Sequence, residues 1–132
     1  MNSMHRSLAA LMVGGLLAIS GCEGGSPPSV TSATTEATVK GKVTLGGKPA
    51  SGGEVVFDPS NYQRKMESAR TAKIGADGTY TIKTLVGQNS IRLGGDAIQK
   101  QMPMATRRSW DLDVKGGDNT FDIDVPAEEA AK

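Results

Sequence analysis

Four stretches of this chain alternate apolar and polar residues with a period of two, and no other feature constrains the fold as strongly. In "TVKGKVTL", Val39, Gly41, Val43 and Leu45 fall on one face, with Lys40, Lys42 and Thr44 on the other. "GTYTIKT" sets Tyr80 and Ile82 against Thr79, Thr81 and Lys83. "SWDLDV" sets Trp110, Leu112 and Val114 against Asp111 and Asp113, and "TFDIDV" sets Phe121, Ile123 and Val125 against Asp122 and Asp124. Successive strand side chains point to opposite faces, so each stretch predicts a strand with one buried face. With "GEVVFD", "SARTAKI" and "NSIRLG" the chain holds about seven short strands and no convincing helix. Turn chemistry separates them at Gly46 to Pro49, Ala76 to Gly78 and Lys115 to Asn119. A single sheet would leave one apolar face wet, so the expected architecture is all-β, one small two-sheet sandwich. The stretch from Gly94 to Arg108 fits no strand pattern and reads as a long inter-strand loop.

The beginning of the chain follows different rules. Arg6 precedes an apolar run, Leu8 to Ile19, of 12 residues without a charge. That is too short for a membrane-spanning helix, which needs about 20 apolar residues, and it fits the apolar region of a secretory signal peptide. The run ends at Ile19-Ser20-Gly21-Cys22, and Cys22 is the only cysteine of the chain. A lone thiol excludes an internal disulfide framework and any multi-cysteine metal site. These four residues resemble the lipobox of bacterial lipoproteins. The resemblance implies cleavage before Cys22, acylation of its sulfur and new amino group, and a membrane as partner through the acyl chains. Two or more such chains hold a protein firmly on a bilayer.

Cleavage there would remove Arg6, one of 15 basic side chains, and leave them equal in number to the 14 acidic ones. A neutral chain of this kind argues against a nucleic-acid partner or a polybasic membrane patch. The only histidine, His5, would leave with the same peptide. Without it, Ser-His-Asp or Cys-His catalysis and the usual zinc sites have no base or ligand. Carboxylate-pair chemistry remains open to the chain but needs a cleft that one small domain seldom provides, so the expectation is a protein that is not an enzyme, with no cofactor and no metal. Residues 23–37, "EGGSPPSVTSATTEA", hold little to bury and read as a flexible tether. The domain plan is a leader at 1–21, lipidated Cys22 and linker at 22–38, a β-sandwich at 39–126 and a tail at 127–132.

Three stretches resemble the carboxypeptidase regulatory-like domain, a prealbumin-like (transthyretin-like) β-sandwich: "VKGKVTLGGKPASGGEVVF", "AKIGADGTYTIKT" and "LDVKGGDNTFDIDV". The second corresponds to a hairpin of that family and the third to its closing hairpin. Where the family has Gly-x-Tyr in its fifth strand, this chain has "GQNSIRL", with Ser90 taken as the aromatic position. The resemblance implies an accessory or adhesive module.

Candidate sites each have a plain alternative. Asp111, Asp113, Asp122 and Asp124 would share one sheet face if the last two strands pair through "KGGDN", and carboxylate clusters suit calcium. A charged outer face that discourages edge-to-edge aggregation is the simpler account. Asp77 belongs to a turn. Arg64, Lys65, Arg70, Lys73, Arg107 and Arg108 could meet an anionic glycan or a protein, or simply solubilise loops. Met66, Met102 and Met104 suit core gap-filling better than a contact surface. The alternation places Trp110 inward, away from any sugar-stacking role. The expected function is a lipid-anchored binding or scaffolding module of a cell envelope, at the outer membrane or periplasmic face, with a protein partner. The alternative is a carbohydrate-binding module for cell-wall or external polysaccharide.

Overall fold

In the computed structural model, which describes residues 30–127, both edges of one long strand are occupied, and this organises the fold. Strand β1 (Glu36–Leu45) pairs antiparallel with β2 (Lys48–Pro49) and β5 (Thr79–Leu85) on one edge. On its other edge it pairs in parallel with β8 (Asp118–Thr120) and β9 (Ile123–Val125). The second sheet runs β4 (Arg70–Lys73), β3 (Glu54–Asp58), β6 (Gly87–Gly94), β7 (Ser109–Val114), antiparallel throughout. The chain is an all-β two-sheet sandwich, with nine strand segments among the described residues.

The predicted alternation becomes the core. Val39, Val43 and Leu45 of β1 meet Tyr80 and Ile82 of β5 and Ile123 and Val125 of β9, all buried. From the other sheet Val55, Phe57, Ile91, Leu93 and Val114 close over them. Phe57 and Tyr80 touch across the sheets, their ring centroids 6.0 Å apart. Trp110, Leu112 and Phe121 are partly buried and packed against the same cluster.

One irregularity ties the sheet edge together. β8 and β9 follow one register along β1, but Phe121 and Asp122 interrupt them opposite Gly41. A Cβ on Gly41 would collide with the Phe121 carbonyl, so only glycine admits this close approach. That carbonyl accepts the Tyr80 hydroxyl at 2.5 Å, and the Asp122 carboxylate accepts the Lys42 backbone N–H at 2.9 Å. Side chains thus replace the missing ladder bonds. Burial, then the nearby Asp122 charge, push the Tyr80 phenol well above its ordinary pKa, so it remains a donor.

Several expectations need correction. β7 and β8 do not form a closing hairpin: "KGGDN" crosses between sheets, with β7 on β6 and β8 on β1. The Asp77-Gly78 turn also joins strands of different sheets, β4 and β5. Turn chemistry marks where a chain reverses, whereas pairing depends on which apolar faces meet. The stretch from Gly94 to Arg108 is not a plain loop. It holds a helix, α1 (Asp96–Gln101), and a 3-10 turn (Pro103–Arg107). Each buries a single core residue, Ile98 or Ala105, too few to produce a readable period. Ile98 lies over Gly53, where a side chain would collide with it. The family comparison also needs a shift of one residue. Asn89, not Ser90, faces inward on β6 and occupies the position two after Gly87.

Candidate functional site

The leader 1–21 and Cys22, with its expected acylation, lie outside the described residues, as does all of the tail after Ala127. What the structure places is the way the chain joins the sandwich. The expected tether, 22–38, overlaps the fold: β1 begins at Glu36, and residues 31–35 are bonded to the domain. Val86 N–H donates to the Thr35 carbonyl at 2.9 Å. The Asn61 side-chain amide donates to the Thr31 carbonyl at 3.1 Å.

Arg64 is central to this junction. It was a candidate for anion binding, yet it is 6% exposed. Its Nε donates to the Pro59 carbonyl at 2.5 Å, and its Nη1 to the Ala33 and Val86 carbonyls at 2.8 Å each. Nη2 reaches the Gln88 carbonyl at 3.3 Å. A planar fork with five donors can join four carbonyls on three backbone segments in this way, and a lysine cannot. The guanidinium therefore binds the N-terminal segment, the β3–β4 loop and the β5–β6 corner into one unit. Next to it, Asn89 donates to the Leu85 and Gly87 carbonyls at 2.9 Å each and accepts the Thr84 hydroxyl at 2.5 Å. Arg64, Thr84 and Asn89 are the buried polar side chains among the described residues, and all three have architectural roles. Sequence reasoning placed Arg64 among the anion-binding candidates and missed its clamping role, because its four acceptors are backbone carbonyls, which carry no residue signature.

The loop that Arg64 holds is ordered from within. Asn61 Oδ1 accepts the backbone N–H groups of Gln63 and Arg64 at 2.8 and 3.1 Å, and Asp58 accepts that of Ser60 at 2.9 Å. On this frame Tyr62 is 67% exposed and Met66 95%. Met66 is thus not a core filler, whereas Met102 packs on the core and Met104 is 40% exposed.

The four aspartates are not brought together. Asp111 and Asp113 belong to β7, while Asp122 and Asp124 lie beside β1 in the other sheet. Asp113 pairs with Lys115, and Asp124 accepts the Thr44 hydroxyl at 2.7 Å. No group of three or more metal-ligating side chains forms among the described residues. Asp77 is exposed and caps its own turn: its Oδ1 accepts the Thr79 hydroxyl at 2.8 Å and the Thr79 N–H at 3.1 Å. Those two bonds, the hydroxyl's foremost, hold its carboxyl below the ordinary aspartate pKa. Arg70 faces Glu36 and Glu67 at 3.8 and 3.9 Å. Two open clefts, about 270 and 330 Å³, are lined by Glu36, Lys83 and Asp118 and by Glu54, Lys73 and Asp96. Neither set pairs a nucleophile with a base.

The chain resembles solved structures. A DUF3823 family protein from Parabacteroides merdae ATCC 43184 matches with 16% identity and a TM-score of 0.52, over 70% of this chain and 46% of that one. A DUF3823 family protein from Bacteroides ovatus ATCC 8483 matches with 19% identity and a TM-score of 0.49, over 69% and 44%. The dioxygenase domain of a dioxygenase carbohydrate-binding protein fusion from Streptomyces sp. SirexAA-E overlays more loosely, with 18% identity and a TM-score of 0.39. It is covered over 90% of its length, by 77% of this chain. At such identities the first likeness shows a shared fold alone, and this chain spans less than half the length of either DUF3823 protein. No protein-family model and no curated protein matches the chain, so the carboxypeptidase regulatory-like resemblance rests on the quoted motifs.

Proposed function

We propose that the chain is a lipid-anchored, non-catalytic module of a bacterial cell envelope, held on a membrane through Cys22 and displaying its far end to a protein partner. One observation carries this reading: the chain enters the sandwich at the Arg64 end. Residues 31–35 are bonded there, while the Gly46–Gly47 turn, α1 and the 3-10 turn lie at the other end. An anchor at Cys22 therefore leaves that other end, with Met104, Arg107 and Arg108 exposed, facing away from the bilayer. The buried polar residues Arg64, Thr84 and Asn89 support a non-catalytic role, since each is bonded within its own chain. A polysaccharide platform finds less support, because Trp110 packs on the core and Tyr62, the one ring left largely exposed, lies at the anchored end.

The test is a photo-crosslinking residue at position 104 in cells producing the full chain, with the same residue at position 62 as comparison. The expected result is a protein adduct from position 104 that excess untagged domain suppresses. A polysaccharide adduct, or none, overturns the protein-partner reading. Labelling with an alkyne fatty acid tests the anchor: Cys22→Ser should remain unlabelled and unprocessed, and a labelled variant overturns the lipobox reading.

A further inference from the structure

The loop clamped by Arg64 carries an exposed tyrosine, whose hydroxyl accepts the neighbouring Gln63 side-chain amide at 3.2 Å, and an exposed methionine. Resting on the reading of Cys22 as the lipid anchor, we infer that this loop, residues 60–66, is a second membrane contact, with Tyr62 and Met66 seated in the interfacial region of the bilayer.

Distance comes first. Eight residue steps separate Cys22 from Val30, and an extended chain covers at most about 3.6 Å per residue. The tether therefore spans less than about 30 Å, roughly one hydrocarbon thickness. It ends on the loop itself, because Thr31 is bonded to Asn61 and Ala33 to Arg64. The anchor thus holds this end of the sandwich, and the loop bonded to the entering chain, within reach of the lipid.

The chemistry fits the same surface. Tyr62 has an apolar ring with a polar tip, the form that favours the membrane–water boundary. Met66 is flexible, apolar and almost fully exposed. Between them Lys65 is exposed, and its stem can lie along the interface with the ammonium among headgroups. The Arg64 charge is sealed inside against carbonyls, and Glu67 is turned toward Arg70. The tip therefore meets the bilayer with little charge to desolvate.

Size decides against a protein in this place. Two side chains on one loop are far smaller than the roughly 800 Å² per partner that a stable protein interface buries. A weak contact suffices for a surface already tethered nearby, because the second binding event is then intramolecular. The internal bonds of Asn61 also keep the loop in shape, so its docking orders nothing further.

The methionines provide the readout without added probes on the protein. Met66 lies at the anchored end, and Met102, whose methyl lies 3.6 Å from where a Cβ on Gly46 would sit, marks the far end, with Met104 close to it in sequence. The lipidated chain, labelled with methyl-¹³C methionine, is placed on phosphatidylethanolamine–phosphatidylglycerol nanodiscs containing nitroxide lipid. Met66 should broaden several-fold more than Met102 and Met104, and Tyr62→Ser should reduce that broadening several-fold. Equal broadening at all three methyls overturns the inference. So does Met66 broadening that Tyr62→Ser leaves unchanged, since tether proximity alone would then explain it. A Met66 signal that moves only when envelope proteins are added also overturns it, in favour of a protein partner. Coupling the Cys22 thiol to maleimide lipid repeats the measurement if cells do not acylate Cys22. Failure of the lipoprotein reading thus stays separate from failure of the loop.

Discussion

The two ends of the sandwich share glycine turns, but only one of them is locked by a buried side-chain clamp. At the far end the chain reverses through glycine backbone: Gly46 and Gly47 make a two-residue hairpin at φ 58° and 80°, and Gly78 turns at φ 83°. Both central residues of such a hairpin need positive φ, which glycine adopts at little cost. At the end where the chain enters, Gly87 and Gly117 also turn at φ 98° and 87°, but side chains add the closure. Arg64 joins four carbonyls from separated segments, and Asn89 braces the corner between β5 and β6. A backbone turn needs only its own few residues, whereas a side-chain clamp needs the whole fold in place before its acceptors exist. The lesson is that the end where the chain enters the sandwich depends most on tertiary structure, and that dependence is what holds Tyr62 and Met66 outward.

The sharpest way to break this contrast is Arg64→Leu. It leaves up to four carbonyls without their donor, and an unsatisfied buried group costs about 1–3 kcal/mol. After partial rehydration we expect a loss of about 4 kcal/mol in urea unfolding of the Cys22→Ser chain. Arg64→Lys should recover only part of it, and full recovery would show that the fork geometry is irrelevant. A smaller effect is expected at the far end. Gly78→Ala imposes positive φ on a residue with a side chain and brings its Cβ to 2.8 Å from the Val43 carbonyl. That should cost about 2 kcal/mol by the same measurement, and a loss equal to that of Arg64→Leu would erase the distinction.

The smallest effect concerns Asp77. Its carboxyl titrates below the ordinary value of 3.8 when folded, so it stabilises the fold fully above that pH. This contribution is lost as pH falls through the lowered folded value. Asp77→Asn should therefore show a slightly smaller drop in urea midpoint between about pH 6 and about pH 3 than the unsubstituted chain. An unchanged drop would mean that the Thr79 bonds do not favour the charged form.

Much of the fold was legible. Val39, Val43, Tyr80, Ile82, Ile91, Ile123 and Val125 are buried as their alternation requires, and the Gly46–Gly47 reversal is where its residues indicate. Less legible was partnership. "KGGDN" has turn chemistry whether its flanking strands pair with each other or cross between sheets. Asp111 and Asp113 looked equivalent to Asp122 and Asp124, yet the two pairs lie in different sheets because β8 and β9 follow the free edge of β1. Ile98 gave too short a signal for a helix, and its place over Gly53 becomes visible only when β3 and β6 are paired.

The candidate surface divides in the same way. The ISGC motif at Cys22 is a local pattern, and its implied anchor follows from adjacent residues. Which part of the domain lies where the chain enters the sandwich is not local. It depends on Asn61 and Arg64 meeting Thr31 and Ala33, about 30 residues earlier in the chain. Period-two alternation by itself determined that this protein is a two-sheet β-sandwich, because burial of one strand face is a property of neighbouring residues. The tertiary structure alone decided which strands pair, that Arg64 is a buried clamp, and that Tyr62 and Met66 stand at the end where the chain enters. Those outcomes arise from backbone groups brought together across the fold, and a backbone carbonyl looks the same at every position of a sequence.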